Sequence, residues 1–337
     1  MGRLNPVLVE VTRGDMVESR HRGAAAVVDA DGSVVHAWGD VERPVFSRSA
    51  IKPLQALPLV ETGAAERFAL SDVEIALACG SHGGAPEHVR PVAAWLECIG
   101  LASGDLECGT HPPMDPAAAG ALVRAGEDPS PLHNNCSGKH AGFLTTAVHL
   151  GEATAGYVRP DHPVQKRIER VLADLGGVAL EGAARGTDGC AIPVIAMPLT
   201  AIARAMARLA DPRGLAPARA AAVRRIVAAM TGHPDLVAGR ERFDTVAIEA
   251  GRGAFVVKIG AEGVYVAAVA SLGLGVALKI DDGARRAAET VMAVLLRHLG
   301  ALDAKAQAAL EPYLDRPVPD RAGVRVGSVG VAKGWLG

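Results

Sequence analysis

The chain has 337 residues, of which 49% are hydrophobic and 21% charged, and its formal net charge is −2. This length can bury a sizeable core in one large domain or two, and the charge lacks the basic excess of a nucleic-acid-binding protein. The longest uncharged stretches, 189–203 and 263–278, are shorter than the roughly 18–20 apolar residues of a membrane span. Five cysteines cannot all pair, and the first residues contain no apolar run typical of a signal peptide. We therefore expect a globular enzyme of the cytoplasm.

Strand patterns dominate the first forty residues. An apolar, β-branched run covers 6–11, and two further runs, 24–28 and 33–37, flank the tetrapeptide DADG. The glycine of this tetrapeptide, Gly32, can adopt the positive φ that a hairpin turn needs. The sequence predicts a strand followed by a β-hairpin.

Helical patterns dominate from about residue 50 to 240, where alanine and leucine recur at helical spacing. Ser71 and Glu74 form the capping-box pattern of a helix that Gly80 should end. Pro86 has the position of a first-turn proline in the next helix, which should run to about Cys98.

Strand patterns return near the C-terminal end, at residues 245–250, 254–259 and 264–270, and an amphipathic helix follows at about 283–299. Strands at both ends with helices between them favour an α+β protein, in which N- and C-terminal strands share one antiparallel sheet.

The domain prediction follows from this order of elements. We expect a single catalytic unit over 1–337. Its sheet subdomain would consist of 1–48 plus 245–337, and its helical region would consist of 49–244.

The first candidate catalytic pair is Ser49 and Lys52. Residues three apart share a helix face, so a neutral lysine amine could accept the serine proton and make the hydroxyl a nucleophile. Because Pro53 follows the lysine, the pair must lie in a first helical turn, for which a 3₁₀ turn is one form. A solvated lysine after a helix cap is the alternative interpretation of this short pattern.

Two later positions extend the pattern. Ser81 begins the segment SHGG, which offers a hydroxyl and flexible backbone amides for an oxyanion. Lys258 lies near the end of a predicted strand. The order of a serine–lysine pair, a serine loop and a strand lysine is typical of serine–lysine acyl enzymes. A glycine-rich turn and an ordinary strand-end lysine are the alternatives.

Two cysteines form a candidate metal site. Cys136 lies in HNNCSGKH and Cys190 in GTDGC, and nitrogen and sulfur donors of this kind suit zinc. The spacing is not that of a zinc finger, and two buried free thiols are the alternative.

All these residues lie in longer blocks, and the blocks resemble the rhizobial-type L-asparaginases, the class 3 or asparaginase II family. The matching blocks are RPVFSRSAIKPLQALPLVE, ALACGSHGGAPEH, CGTHPPMD, LHNNCSGKHAGFL, GTDGCAIPV and HPDLVAGRERFDT. They extend from about residue 40 to 245, and VVKIGAEG continues the match, so the resemblance covers most of the chain.

The resemblance implies a fold similar to the serine β-lactamase and glutaminase class. It also implies hydrolysis of the side-chain amide of L-asparagine to L-aspartate and ammonia. By position, Ser49 with Lys52 and Ser81 with Lys258 match two serine–lysine pairs of the family's site.

The same resemblance implies the rest of the site. It matches three residues to ligands of a Zn²⁺ ion, with water completing the shell, and two residues to substrate orientation. The matched zinc ligands are Cys136, Lys139 and Cys190, and the substrate-orienting residues are Arg48 and Asp188. Family members are dimeric, so the resemblance also implies a homodimer. The net charge and the short uncharged stretches favour a protein that binds neither nucleic acid nor membrane.

Two other classes of protein would use part of this residue set. A β-lactamase or DD-peptidase-like acyl enzyme would use the same serines and lysines, although it would act outside the cytosol. A non-catalytic zinc-binding protein would need only the cysteine loops. Turnover of nitrocefin and release of ammonia from asparagine separate these alternatives.

Overall fold

A computed structural model describes residues 4–336. Its strands are β1 (Val7–Arg13), β2 (Met16–Asp29), β3 (Val34–Trp38), β4 (Val45–Phe46), β5 (Arg185–Thr187), β6 (Pro193–Met197), β7 (Val256–Ile259), β8 (Val264–Val269), β9 (Leu274–Ile280), β10 (Asp315–Pro319) and β11 (Arg325–Val331).

The helices lie mainly between the two groups of strands. They are α1 (Lys52–Gln55), α2 (Leu57–Glu61), α3 (Ala64–Arg67), α4 (Asp72–Cys79), α5 (Pro86–Cys98), α6 (Pro116–Ala125), α7 (Ser137–Leu150), α8 (Pro163–Gly176), α9 (Leu199–Ala210), α10 (Pro217–Gly232), α11 (Pro234–Val237), α12 (Phe243–Gly251), α13 (Arg285–His298) and α14 (Ala304–Leu314). Short 3₁₀ helices span Arg48–Ile51, Ser103–Asp105 and Pro131–His133. None of the helices described for residues 4–336 combines the length and apolar character needed to cross a bilayer.

The strands form one large antiparallel sheet in the order β10-β11-β1-β2-β9-β8-β7, with β3 also paired to β2. The N-terminal strands β1 and β2 lie between C-terminal strands on both sides, β11 and β9. The predicted α+β class, with one antiparallel sheet shared by the two ends of the chain, is confirmed. A second, three-stranded sheet has the order β4-β6-β5, so two strands also lie within the mainly helical middle of the chain.

Strand β8 is the centre of the core, and all six of its residues are buried. Helices α9 and α13 each contact β8 and β9 but make few or no contacts with each other, so they cover opposite faces of the sheet. A strand covered on both faces has a continuous apolar sequence rather than an alternating one, as VYVAAV does.

Several local predictions are confirmed. The hairpin of β2 and β3 turns at Gly32, whose φ is +99°. Helix α4 has the expected capping box of Ser71 and Glu74, and α5 begins at Pro86 and ends at Cys98 as predicted.

The strand predicted at 245–250 is wrong, because this segment lies in α12. Phe243, Ala247 and Ile248 are buried on one side of the helix, and apolar positions at this spacing have the helical period of about 3.6. The six residues TVAIEA fit a strand equally well, and only the longer run to Gly251 distinguishes the two. The helix predicted at 283–299 is confirmed as α13, but α14 and two more strands follow it.

A glycine on β9 allows α9 to pack directly on the sheet. A Cβ atom added at Gly275 would meet the carbonyl oxygen of Ala203 and the amide nitrogen of Ala207. Because backbone atoms cannot rotate away, we expect Gly275→Ala to lower the free energy of unfolding by about 3 kcal/mol, measured by urea denaturation. Gly104→Ala is the matched control, since nothing lies within 4 Å of its added Cβ. An unchanged urea midpoint for Gly275→Ala would contradict this packing.

Candidate active site

Ser49 lies in a strained turn at the start of the helical region. It belongs to the 3₁₀ helix Arg48–Ile51, and α1 begins at Lys52 with Pro53 in its first turn. The first-turn placement expected from Pro53 is therefore observed. Arg48 has a φ of +52°, which costs a non-glycine residue energy and is common at functional turns.

The end of β7 packs closely on this turn. A Cβ atom at Gly260 would lie 2.6 Å from the carbonyl oxygen of Ser47 and 3.2 Å from Ala50. A glycine at this position therefore lets the segment after Lys258 approach the backbone that carries Ser49.

The two candidate serines open into one cavity. Ser49 and Ser81 both line a cavity of about 270 Å³, together with Asn135, Arg242 and Glu262. Ser49 is half-buried, whereas the Ser81 Oγ is buried and has no hydrogen-bond partner among the described residues. Two serines that are 32 residues apart in the sequence thus line the same cavity.

Lys52 lies fully buried beside this cavity. Its Nζ donates to the carbonyl oxygens of Gly80 and Asn135, the latter at 3.2 Å. Burial lowers the pKa of Lys52, and the nearby Cys136 sulfur partly opposes the shift. The amine therefore lies next to the residue before Ser81, although residues 4–336 show no hydrogen bond from it to either serine hydroxyl.

Lys258 is equally buried. Its Nζ donates to the carbonyl oxygen of Ile259 at 2.9 Å and lies 3.6 Å from Asp244 Oδ2. The pKa of Lys258 is lowered to about 7: burial is the largest cause, the charge of Asp244 opposes it, and the charge of Lys52 adds to it. A lysine in this state can lose its proton near neutral pH.

Asp244 is a candidate site residue that the sequence analysis missed. Its side chain is 1% exposed, and it accepts hydrogen bonds from the Ile259 amide at 3.2 Å and from the Tyr265 hydroxyl. Burial raises its pKa against the opposing charge of Lys258. The available signal was the block HPDLVAGRERFDT, but the incorrect strand at 245–250 concealed that Asp244 lies in the first turn of a helix facing β7.

Cys136, Lys139 and Cys190 come together in the interior. The Lys139 Nζ donates to the Cys190 Sγ at 3.0 Å, and the Cys136 Sγ donates to Asn135 Oδ1 at 3.2 Å. The neighbouring Cys190 side chain lowers the pKa of Cys136 well below its usual range, whereas Cys136 raises the pKa of Cys190. The result is an acidic thiol next to a second thiol and the ammonium group of Lys139.

This donor set fits zinc, which binds nitrogen and sulfur ligands in tetrahedral geometry. Within residues 4–336 no group of three or more histidine, cysteine, aspartate or glutamate side chains is placed to hold a metal, so Lys139 would have to be the third protein ligand. Burial opposes the charge of Lys139, but the two neighbouring sulfurs together raise its pKa. A metal would therefore have to displace a proton from it.

Arg48 and Asp188, the two residues expected to orient the substrate, bind each other. The Arg48 Nε and Nη2 donate to Asp188 Oδ1 at 2.9 and 2.6 Å. Burial raises the pKa of Asp188, but this bond and the charge of Lys139 outweigh it, and the net shift is downward. The pair ties the turn of Ser49 to the loop of Cys190. Arg48 lines a neighbouring cavity rather than the one with the two serines.

The amides of the Ser81 loop are mostly occupied. The Ser81 amide donates to the Val237 carbonyl oxygen at 2.7 Å, and the His82 amide donates to that of Asn135 at 3.3 Å. The Gly84 amide donates to the His82 ring at 3.2 Å. The oxyanion role expected of this loop is therefore limited to its remaining amide, that of Gly83.

Comparison with solved structures gives only distant similarity. A β-lactamase from Mycobacterium bovis is 15% identical with a TM-score of 0.38, over 86% of this chain and 94% of that one. A D-alanine carboxypeptidase from Burkholderia cenocepacia is 14% identical with a TM-score of 0.41, over 83% and 93%. Mglu in its glutamate form is 15% identical with a TM-score of 0.38, over 83% and 62%. No curated protein matches the chain.

The family comparison is more extensive. The model of a family described as L-asparaginase II matches residues 9–331. The match includes both serines, both lysines and the cysteine loops, and it extends from the first strand of the large sheet to the last. This chain belongs to the L-asparaginase II family.

Proposed function

We propose that this protein is an L-asparagine amidohydrolase of the rhizobial, class 3 type, which hydrolyses the side-chain amide to L-aspartate and ammonia. The observation that supports the proposal is that two serine hydroxyls line one cavity, while two fully buried lysines donate to carbonyl oxygens of Asn135 and Ile259, which line the same cavity. Family membership supports the same activity.

In the acylation step, Ser49 Oγ attacks the carbon of the side-chain amide. The hydroxyl proton passes to neutral Lys52, so that an ammonium forms next to the oxyanion that develops. Collapse of the tetrahedral intermediate breaks the C–N bond. The proton that Lys52 took from Ser49 passes through neutral Lys258 and the Ser81 hydroxyl to the leaving ammonia, so both lysines are neutral again before deacylation.

In the deacylation step, water attacks the aspartyl ester of Ser49. The neutral amine of Lys52 accepts a proton from the water and then returns it to the Ser49 oxygen as the C–O bond breaks. L-Aspartate leaves, and both lysines return to their starting protonation states. Burial serves both steps because it destabilises the charged form of each amine.

Replacement of the nucleophile is the direct test. We expect Ser49→Ala to lower kcat for ammonia release from L-asparagine by at least about 10³-fold, with an unchanged melting temperature. Ser33→Ala, at an exposed hairpin turn, is the matched control and should retain wild-type activity.

The alternatives have distinct outcomes in the same assay. Wild-type activity in Ser49→Ala would move the nucleophile to another residue, with Ser81 the first candidate. Turnover of nitrocefin without ammonia release from asparagine or glutamine would replace the proposal with a β-lactamase-like acyl enzyme. The absence of both activities in the wild-type protein would leave a non-catalytic zinc-binding protein.

The ion pair of Lys258 and Asp244 predicts a pH dependence. Lys258 must be neutral to accept a proton, so kcat/KM should rise with pH around its pKa of about 7. Asp244 holds this pKa up, whereas Lys52 and Arg242 lower it. Asp244→Asn removes the opposing charge, and the rising limb of kcat/KM against pH should therefore move to lower pH.

The control for this prediction is Asp235→Asn. Asp235 lies in the first turn of α11 and has no ion pair with Lys258. The substitution should leave the pH profile in place. If the rising limb of kcat/KM against pH stays at its wild-type position in a folded Asp244→Asn variant, the pKa of Lys258 does not determine that limb.

We also propose that Cys136, Lys139 and Cys190 hold a Zn²⁺ ion. A bound zinc ion supplies Lewis acidity and a fixed positive charge for orienting polar groups of the substrate. The chain's own part is to hold the ligands, and the Arg48–Asp188 pair positions the loop of Cys190. Lys52, which donates to the carbonyl oxygen of Asn135, connects this cluster to the serine cavity.

Metal affinity can be measured without reference to activity. We expect Cys190→Ser to weaken Zn²⁺ binding by at least about 10-fold in calorimetry. Wild-type affinity should fall at lower pH, because binding releases protons from Lys139 and the thiols. Cys98→Ser is the control, since Cys98 is exposed. A metal-stripped wild-type protein that takes up no Zn²⁺ would contradict the proposed site.

Location and assembly complete the proposal. All five cysteines are free, which supports a reducing compartment such as the cytoplasm. The homodimer implied by the resemblance remains a prediction.

A further inference from the structure

Arg242 enters the serine cavity without an anionic partner. It lines the cavity with Ser49 and Ser81, and its Nε is buried with no hydrogen-bond acceptor among the described residues. Arg167 and Arg219, which are also partly buried, each bind a glutamate. In the described part of the chain, no carboxylate lies within ion-pair distance of Arg242.

A second arginine increases the positive charge at the same wall. Arg285 lines the cavity and donates from Nε to Glu289 Oε1 at 2.6 Å. Glu289 is 3% exposed and also accepts from Arg316 at 2.9 Å. Glu289 thus already forms ion pairs with two guanidinium groups, those of Arg285 and Arg316.

The other carboxylate near Arg242 is already engaged. Asp244 faces Lys258 and accepts hydrogen bonds from Tyr265 and Ile259. Burial lowers the pKa of Arg242, and the charge of Arg285 lowers it further. An anion bound in the cavity would offset both effects by stabilising the charged guanidinium group.

A carboxylate with the opposite role lines the same cavity. Glu262 follows β7 with a φ of +58°, a conformation that costs a non-glycine residue energy. The cavity therefore presents two guanidinium groups and one carboxylate around two hydroxyls. This charge pattern complements a zwitterion, which carries one carboxylate and one ammonium group.

We propose that Arg242, assisted by Arg285, binds the α-carboxylate of the substrate and that Glu262 binds its α-ammonium group. The inference rests on the proposed amidohydrolase function and identifies the residues that bind the two charged groups of its substrate. These contacts leave the side-chain amide to face the serines.

The test compares substrates that lack one charged group each. 3-Aminopropanamide is L-asparagine without the α-carboxylate, and succinamic acid is L-asparagine without the α-amino group. We expect Arg242→Gln to lower kcat/KM for L-asparagine by about 100-fold, because a desolvated charge pair is lost, mainly through a higher KM. The same variant should change kcat/KM for 3-aminopropanamide by less than about threefold.

Glu262→Gln should show the complementary selectivity. We expect a loss on L-asparagine and 3-aminopropanamide, and little change on succinamic acid. Arg240→Gln is the matched control, because this neighbouring arginine has an 81% exposed side chain and pairs with Glu87 at 3.6 Å. It should leave all three substrates unaffected.

The outcomes separate this inference from the proposed function. Equal losses on L-asparagine and 3-aminopropanamide in Arg242→Gln would overturn the carboxylate assignment, because a structural defect affects both substrates alike. If Arg242→Gln does not fold, Arg285→Gln, whose side chain is 49% exposed, provides the same comparison.

If the wild-type enzyme releases no ammonia from L-asparagine, the proposed function fails by itself. Calorimetry with L-aspartate and 3-aminopropanoate then tests the subsite directly. Tighter wild-type binding of L-aspartate that is lost in Arg242→Gln would support the subsite, and equal binding of both ligands would overturn it.

Discussion

The burial of two lysine side chains in one interior region is the constraint on which the site depends. Lys52 and Lys258 are both inaccessible to solvent, and each charge opposes the other. Removal of an ammonium group from water is costly unless the group is paired or neutral. The protein meets this cost with carbonyl oxygens at Lys52 and with one carboxylate, Asp244, at Lys258. The same burial lowers the pKa of both amines, that of Lys258 to about 7.

The large sheet supplies the rigidity that this burial requires. Lys258 is on β7, next to the fully buried β8, and α9 and α13 cover the two faces of the sheet. The turn of Ser49 packs on the end of β7 at Gly260, and the Arg48–Asp188 ion pair joins that turn to the loop of Cys190. The proposed catalytic groups, from distant parts of the chain, therefore lie on one packed framework.

Backbone strain is concentrated around the same groups. Six non-glycine residues in the described part of the chain have positive φ, and four of them are adjacent to or within the site: Arg48, Ala191, Glu241 and Glu262. Arg48 precedes Ser49, Ala191 follows Cys190 and Glu241 precedes Arg242. Glu262 lines the cavity. Such conformations persist only where surrounding contacts hold them, and they cluster where side chains must be aimed. The strained residues are therefore next to the side chains whose orientation the proposed reaction requires, those of Ser49, Cys190 and Arg242.

The sequence by itself determined the features that depend on near neighbours in the chain. The capping box at Ser71, the hairpin at Gly32 and the first-turn position of Lys52 follow from local backbone chemistry. The motif blocks also singled out the two serines and the cysteine loops. Only the tertiary structure decided what faces them: six residues at 245–250 could not reveal a helix, and Asp244 and Arg242 acquire their roles across space. Burial, which sets their charges and partners, is a property of the packed chain and not of any short segment.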